Sequence, residues 1–143
     1  MPNDENEIYR LGRELAKLSA FKFPTRLTAA VRDSLRATAV TQTAARAKAM
    51  RAAAELKGAE IPPELLAAMD SHPLVRALTR TTCVATMATG GTRDNALPVE
   101  ARATINCRIM PVDSIAEVQA TLRKLVAGLA DVEIVPDVGV GPE

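Results

Sequence analysis

The chain has 143 residues, with 18 Lys and Arg against 17 Asp and Glu, for a net charge of +1. That length suits one domain, and so even a balance excludes a protein built to coat nucleic acid or an anionic membrane. Hydrophobic residues reach 48% but aromatics only 2% (Tyr9, Phe21 and Phe23), so the core must be made of Ala, Leu, Val and Ile. A single histidine, His72, two isolated cysteines and no Gly-rich phosphate loop lean against a self-contained enzyme. Catalytic zinc usually needs three protein ligands, and a His-based triad needs a nucleophile and an acid beside the imidazole. No run approaches the ~20 apolar residues of a membrane span. The opening MPNDENE is polar and acidic, unlike a signal peptide. With two cysteines only, we expect a reducing, cytoplasmic setting and free thiols.

Residues 4 to 21 predict the first helix. Asp4 and Glu7 have capping-box spacing, and Ile8, Leu11, Leu15 and Leu18 draw one apolar stripe before Pro24 ends the element. From Arg26 the chain becomes rich in Ala, the best helix former but one with little surface to bury. Leu27, Val31 and Leu35 mark a stripe, and Thr38, Thr41 and Thr43 predict a break near residue 40. Gly58 and Pro62-Pro63 end this region, and Pro63 opens a short helix running to Met69. The tract from Arg26 to Lys57 carries seven basic and two acidic residues. Without interleaved aromatics to act as a stacking platform, it reads as the solvated face of an Ala-rich helix rather than an anion site. His72 stands before Pro73 and after Ser71, where a turn or helix cap is its expected duty.

From Arg80 the pattern turns to strand. TTCVATMA is β-branched and closes at Gly90-Gly91. In VEARATINCRI, Val99, Ala101, Ala103, Ile105, Cys107 and Ile109 alternate with Glu100, Arg102, Thr104, Asn106 and Arg108. That is a strand covered on one face. The two strands should pair as an antiparallel hairpin, bringing Cys83 near Cys107. We expect both to be packing thiols, neither ligands nor a disulfide. Pro111 stops the strand. Ser114 and Glu117 form a second capping box, and Ile115, Val118, Leu122, Leu125, Val126 and Leu129 a second helical stripe. Val132 to Val135 predicts a short third strand, and residues 136–143 a frayed tail. The expected class is α+β: a three-stranded antiparallel sheet with helices on one face, in a single domain of residues 1–143 with a helical insertion at 26–79.

That order is the ferredoxin-like βαββαβ pattern without its first strand. The segments RTTCVATM and GGTRDNALPVEARATINCRIMP resemble the dimerisation (lid) domain of the dinuclear zinc metallopeptidases, peptidase family M-twenty. This family includes aminoacylases, succinyl-diaminopimelate desuccinylase and glutamate-releasing carboxypeptidases. The helix NEIYRLGRELAKL looks like the first lid helix of the larger, carboxypeptidase-like members, which also carry a helical insertion after it. The resemblance implies a lid that assists a separate catalytic domain holding two zinc ions, a bridging water and a general-base glutamate. It also implies that Asn95 in the hairpin loop and Arg108 on the following strand grip the substrate's carboxylate or backbone. The family's lid histidine falls in a stretch that would precede Met1, and His72 does not correspond to it.

Read without the resemblance, Asn95 is a loop residue tolerant of turn conformations. Arg108 is a solvated arginine whose planar fork suits a carboxylate. The resemblance thus gives no catalytic residue and no metal in this chain, and Asn95 and Arg108 as substrate-binding positions. The isolated chain should be inactive, since nothing in it activates water. A missing first strand would leave unpaired backbone groups, so we expect a remodelled sheet or a homodimer or oligomer formed through the sheet edge and first helix. The catalytic domain and a substrate carboxylate are the other expected partners; nucleic acid and membrane are not. The competing reading is a stand-alone ferredoxin-like module, binding a small molecule or serving as a structural dimerisation unit. An RNA-binding version is disfavoured because the strands lack stacking aromatics.

Overall fold

In a computed structural model of the chain, residues 6–127 are described. Six helices and two strands follow in order: α1 (Glu7–Ala20), α2 (Ala29–Ala39), α3 (Ala44–Ala54), α4 (Pro63–Met69), α5 (Pro73–Thr79), β1 (Thr82–Gly90), β2 (Ala101–Arg108) and α6 (Ile115–Leu125). The class is α+β. The sheet, however, has two strands among the described residues rather than the expected three. Val132 to Val135, the tail at 136–143, Leu129 and Asp4 all lie outside those residues. The start of α1 is capped by Asn6, whose Oδ1 accepts from the Tyr9 amide at 3.0 Å.

The described residues divide into two compact units. One, the helical unit, comprises Phe21–Val84 and Asn106–Ser114. Its core is formed by Leu27, Val31, Leu35 and Ala39 of the α2 region, Ala47, Met50, Ala53 and Ala54 of α3, and Ile61, Met69, Val75 and Met110. Ala on the facing surfaces allows α2 and α3 to lie close, while Leu35 and Met50, both fully buried, fill what Ala leaves open. Thr28 caps α2 by accepting from the Val31 amide at 3.2 Å. The expected break falls between Ala39 and Ala44, where Thr41 folds back on the Thr38 carbonyl through both its amide and its hydroxyl.

Most of the basic tract in this unit is structural. Arg32 donates to the carbonyls of Ala54, Leu56 and Gly58, satisfying the acceptors left open at the end of α3. Arg36 donates to Glu55 and Asp33, and its hydrogen bond to the Glu55 carboxylate holds the guanidinium above the ordinary arginine value. Arg46 reaches Gln42 and Ser71. Deeper in, Arg80 is 5% exposed and grips both oxygens of Asp70 at 2.7 and 2.9 Å.

The second, the hairpin unit, comprises α1, Ala85–Ile105 and α6 among the described residues. α1 lies beside α6, with Leu18 and Val118 buried. Ile8 closes on the end of β1: a Cβ at Gly90 would stand 2.8 Å from Ile8 Cγ1 and 3.2 Å from Ala101 Cβ, so only glycine fits there. Along β2 the predicted alternation holds from Ala101 to Arg108, with Ala101, Ala103, Ile105 and Cys107 half-buried and Arg102, Thr104, Asn106 and Arg108 exposed. Val99, expected on the covered face, instead precedes the strand and is exposed. From Val84 to Gly90, β1 is exposed at every position.

The cysteine expectation is corrected. Cys83 and Cys107 form a disulfide with Cα atoms 4.1 Å apart. The free-thiol reading took the compartment from composition and set aside what the hairpin register puts face to face. Directly opposed residues on antiparallel strands approach to about 4.5–5.5 Å, within disulfide reach.

Candidate functional site

The loop joining the strands begins at Gly91, whose φ of +70° lies in the left-handed region that glycine alone enters freely. The chain then turns through Asp94 and Asn95. Beside the turn is an open depression of about 480 Å³, bounded by Ile8, Gly90 to Asp94, Ala96 and Pro98. Asn95 is exposed, and its side chain bonds to nothing among the described residues. Its amide is therefore available as donor and acceptor.

Arg108 is the last residue of β2 and is also exposed. Its guanidinium has no ion pair or hydrogen bond among the described residues. Arg102, on the same strand face, is occupied by Glu100 at 3.0 Å. Asn95 belongs to the hairpin unit and Arg108 to the helical unit, and each is described in its own surroundings.

Beyond Arg108 is a network that sequence reasoning missed. The Met110 amide donates to Thr81 Oγ1 at 3.0 Å, and the Thr81 hydroxyl donates to Asp113 Oδ2 at 2.6 Å. Asp113 Oδ1 accepts from Arg26 Nε at 3.0 Å. The Asp113 side chain is 8% exposed, whereas Arg26 reaches it from a side chain that is 45% exposed, so a buried carboxylate has its hydrogen bonds satisfied by a half-solvated guanidinium and a hydroxyl. No spacing rule joins positions 26, 81 and 113, which are far apart in sequence.

His72 does serve as a cap: its Nδ1 accepts from the Leu74 amide at 3.3 Å at the start of α5. Among the described residues, no group of three or more His, Cys, Asp and Glu side chains could bind a metal ion, and both cysteines are spent on each other. No described helix is long and apolar enough to cross a membrane.

A family model described as "Peptidase dimerisation domain" matches residues 8–132. The N-fatty-acyl-amino acid synthase/hydrolase PM20D1 of Mus musculus is 42% identical over 59 residues, covering 41% of this chain and 12% of the mouse protein. The chain thus matches only a small part of that relative's length. No solved structure gives a significant match.

Proposed function

The chain belongs to the peptidase dimerisation domain family, and from that premise we propose that it is a dimerisation and substrate-carboxylate-binding lid for a zinc-dependent metallopeptidase or amidohydrolase of the aminoacylase or carboxypeptidase type. In this reading it forms a homodimer and works beside a catalytic half, where zinc supplies water activation. The chain's own residues bind and orient. Arg108 receives the carboxylate of an N-acyl amino acid through two parallel N–H···O bonds, and Asn95, in the other unit, is a separate substrate-binding position whose amide can donate to or accept from a peptide group. The mouse relative's name, an N-fatty-acyl-amino acid synthase/hydrolase, supports a ligand that joins an amide to a free carboxylate.

The observation that carries the reading is the contrast on one strand face. Arg102 is neutralised by Glu100, whereas the Arg108 fork has no partner among the described residues. Two measurements test it. Sedimentation equilibrium should find a dimer; a monomer at every concentration removes the dimerisation role. Titration with N-acetyl-L-alanine should shift the Arg108 Nε–Hε resonance, and Arg108→Ala should abolish binding. Retained binding in that variant removes the carboxylate role. The purified chain should not hydrolyse this compound, and robust turnover would overturn the lid assignment altogether.

A further inference from the structure

The end of β2 is tied down on both sides of Arg108. On one side, adjacent Cys107 is bonded to Cys83 of β1. On the other, the Met110 amide is held by Thr81, and Thr81 in turn by the Asp113 carboxylate that Arg26 also engages. All of these residues belong to the helical unit. Neither tie touches the guanidinium. What they fix is the backbone from which it projects.

A bidentate grip depends on the direction in which a planar fork is presented. Ordering the stem beforehand removes part of the entropic cost of immobilising a long side chain on binding. The two ties differ in kind. The Thr81–Asp113–Arg26 tie has no redox chemistry, so it persists in any thiol environment. The Cys83–Cys107 tie opens wherever a dithiol reaches it, and both cysteines are half-buried rather than sealed.

We propose that the Cys83–Cys107 pair is a redox-sensitive positioning clamp for Arg108: as a disulfide it holds the end of β2 ready to receive a carboxylate, and on reduction it lets go. This rests on the carboxylate role of Arg108 given above. The opening step balances with a dithiol reductant. One of its thiolates attacks a cysteine sulfur, the S–S bond breaks through a mixed disulfide, and the second thiol resolves it. Cys83 and Cys107 gain two electrons and two protons, and the reductant leaves as its own disulfide. Because the Asp113 tie survives, reduction loosens the grip without unfolding the chain. Within a reducing compartment, disulfides of this kind are transient and signalling rather than permanent.

The test uses the full 143-residue chain, labelled with 15N, oxidised with glutathione disulfide and titrated with N-acetyl-L-alanine while the Arg108 Nε–Hε signal is followed. Adding dithiothreitol should weaken binding about fivefold, the effect of having to re-order the backbone of one residue on binding, and reoxidation should restore it. The double variant C83A/C107A should bind as the reduced chain does and ignore the reductant. The Met110 amide should stay protected from hydrogen exchange throughout. Equal affinity in both redox states overturns the clamp alone. So does loss of Met110 protection on reduction, which would make the bond a staple of the fold, and so do two alkylatable thiols after oxidation. No response in any state sinks the carboxylate reading and the clamp together.

Discussion

The helical unit and the hairpin unit treat apolar surface in opposite ways. Among the described residues, every buried hydrophobic side chain except Leu18 and Val118 belongs to the helical unit. The hairpin unit leaves Tyr9, Met87, Leu97, Val99 and Ile115 more than half exposed, and Val99 is 92% exposed. The helical unit also ties arginines to helix carbonyls and into the Arg80–Asp70 and Arg26–Asp113 pairs. One region has a closed core, with Val40, Val84 and Val112 as its more than half exposed large hydrophobics. The other offers what a dimerisation domain needs, exposed apolar side chains and, among the described residues, a sheet of only two strands.

That contrast breaks first if the helical core proves dispensable. Leu35 is fully buried, so Leu35→Ala should destabilise the chain by about 3 kcal/mol, read from urea unfolding, through lost transfer energy and the cavity left behind. Next comes the buried ion pair. Asp70→Ala strands the Arg80 guanidinium, whose Nε already lacks a partner, and should cost about 2–3 kcal/mol by the same measurement. A smaller loss would mean that water enters there and that the unit is less closed than its burial indicates. In the hairpin unit, Gly90→Ala pushes a methyl against Ile8 and Ala101 and should cost about 1 kcal/mol. Adding Ile8→Ala should recover part of it in a double-mutant cycle, and independent, additive effects would refute the contact.

Local rules recovered more of this fold than long-range ones. The strands and their register followed from the strict alternation Ala101 to Cys107, because a single period decides which side chains face inward. The break between α2 and α3 and the bounds of α4 were legible from Thr and Pro chemistry. The helix α5 is not among the elements the periodicity predicts, although His72 before Pro73 is a cap-and-first-turn signal; at seven residues it is too short for an apolar stripe to repeat. The α1 cap moved to Asn6 because several polar residues precede that helix and only geometry chooses among them. Of the candidate site, Asn95 and Arg108 were named from a resemblance. The Arg26–Asp113–Thr81 tie could not be, since it joins three distant segments and no local pattern records such a closure. The disulfide was within reach of the register, and a compartment argument overrode it.

The smallest stability effect is expected where the exposed apolar side chains lie, and it gives the sharpest test of the comparison. Val99→Ser removes a side chain that touches almost nothing in the single chain, so urea unfolding under dilute, monomeric conditions should change by less than about 0.5 kcal/mol. If Val99 belongs to the surface that another copy covers, the same substitution should weaken self-association by about tenfold or more in sedimentation equilibrium, because a buried valine contributes about 1.5 kcal/mol or more at an interface core. A stability loss comparable to that of Leu35→Ala would mean that Val99 is already packed within the chain. An unchanged dimer constant would move the interface elsewhere on the hairpin unit. Only loss of association with stability preserved matches a region whose apolar groups are held for a partner.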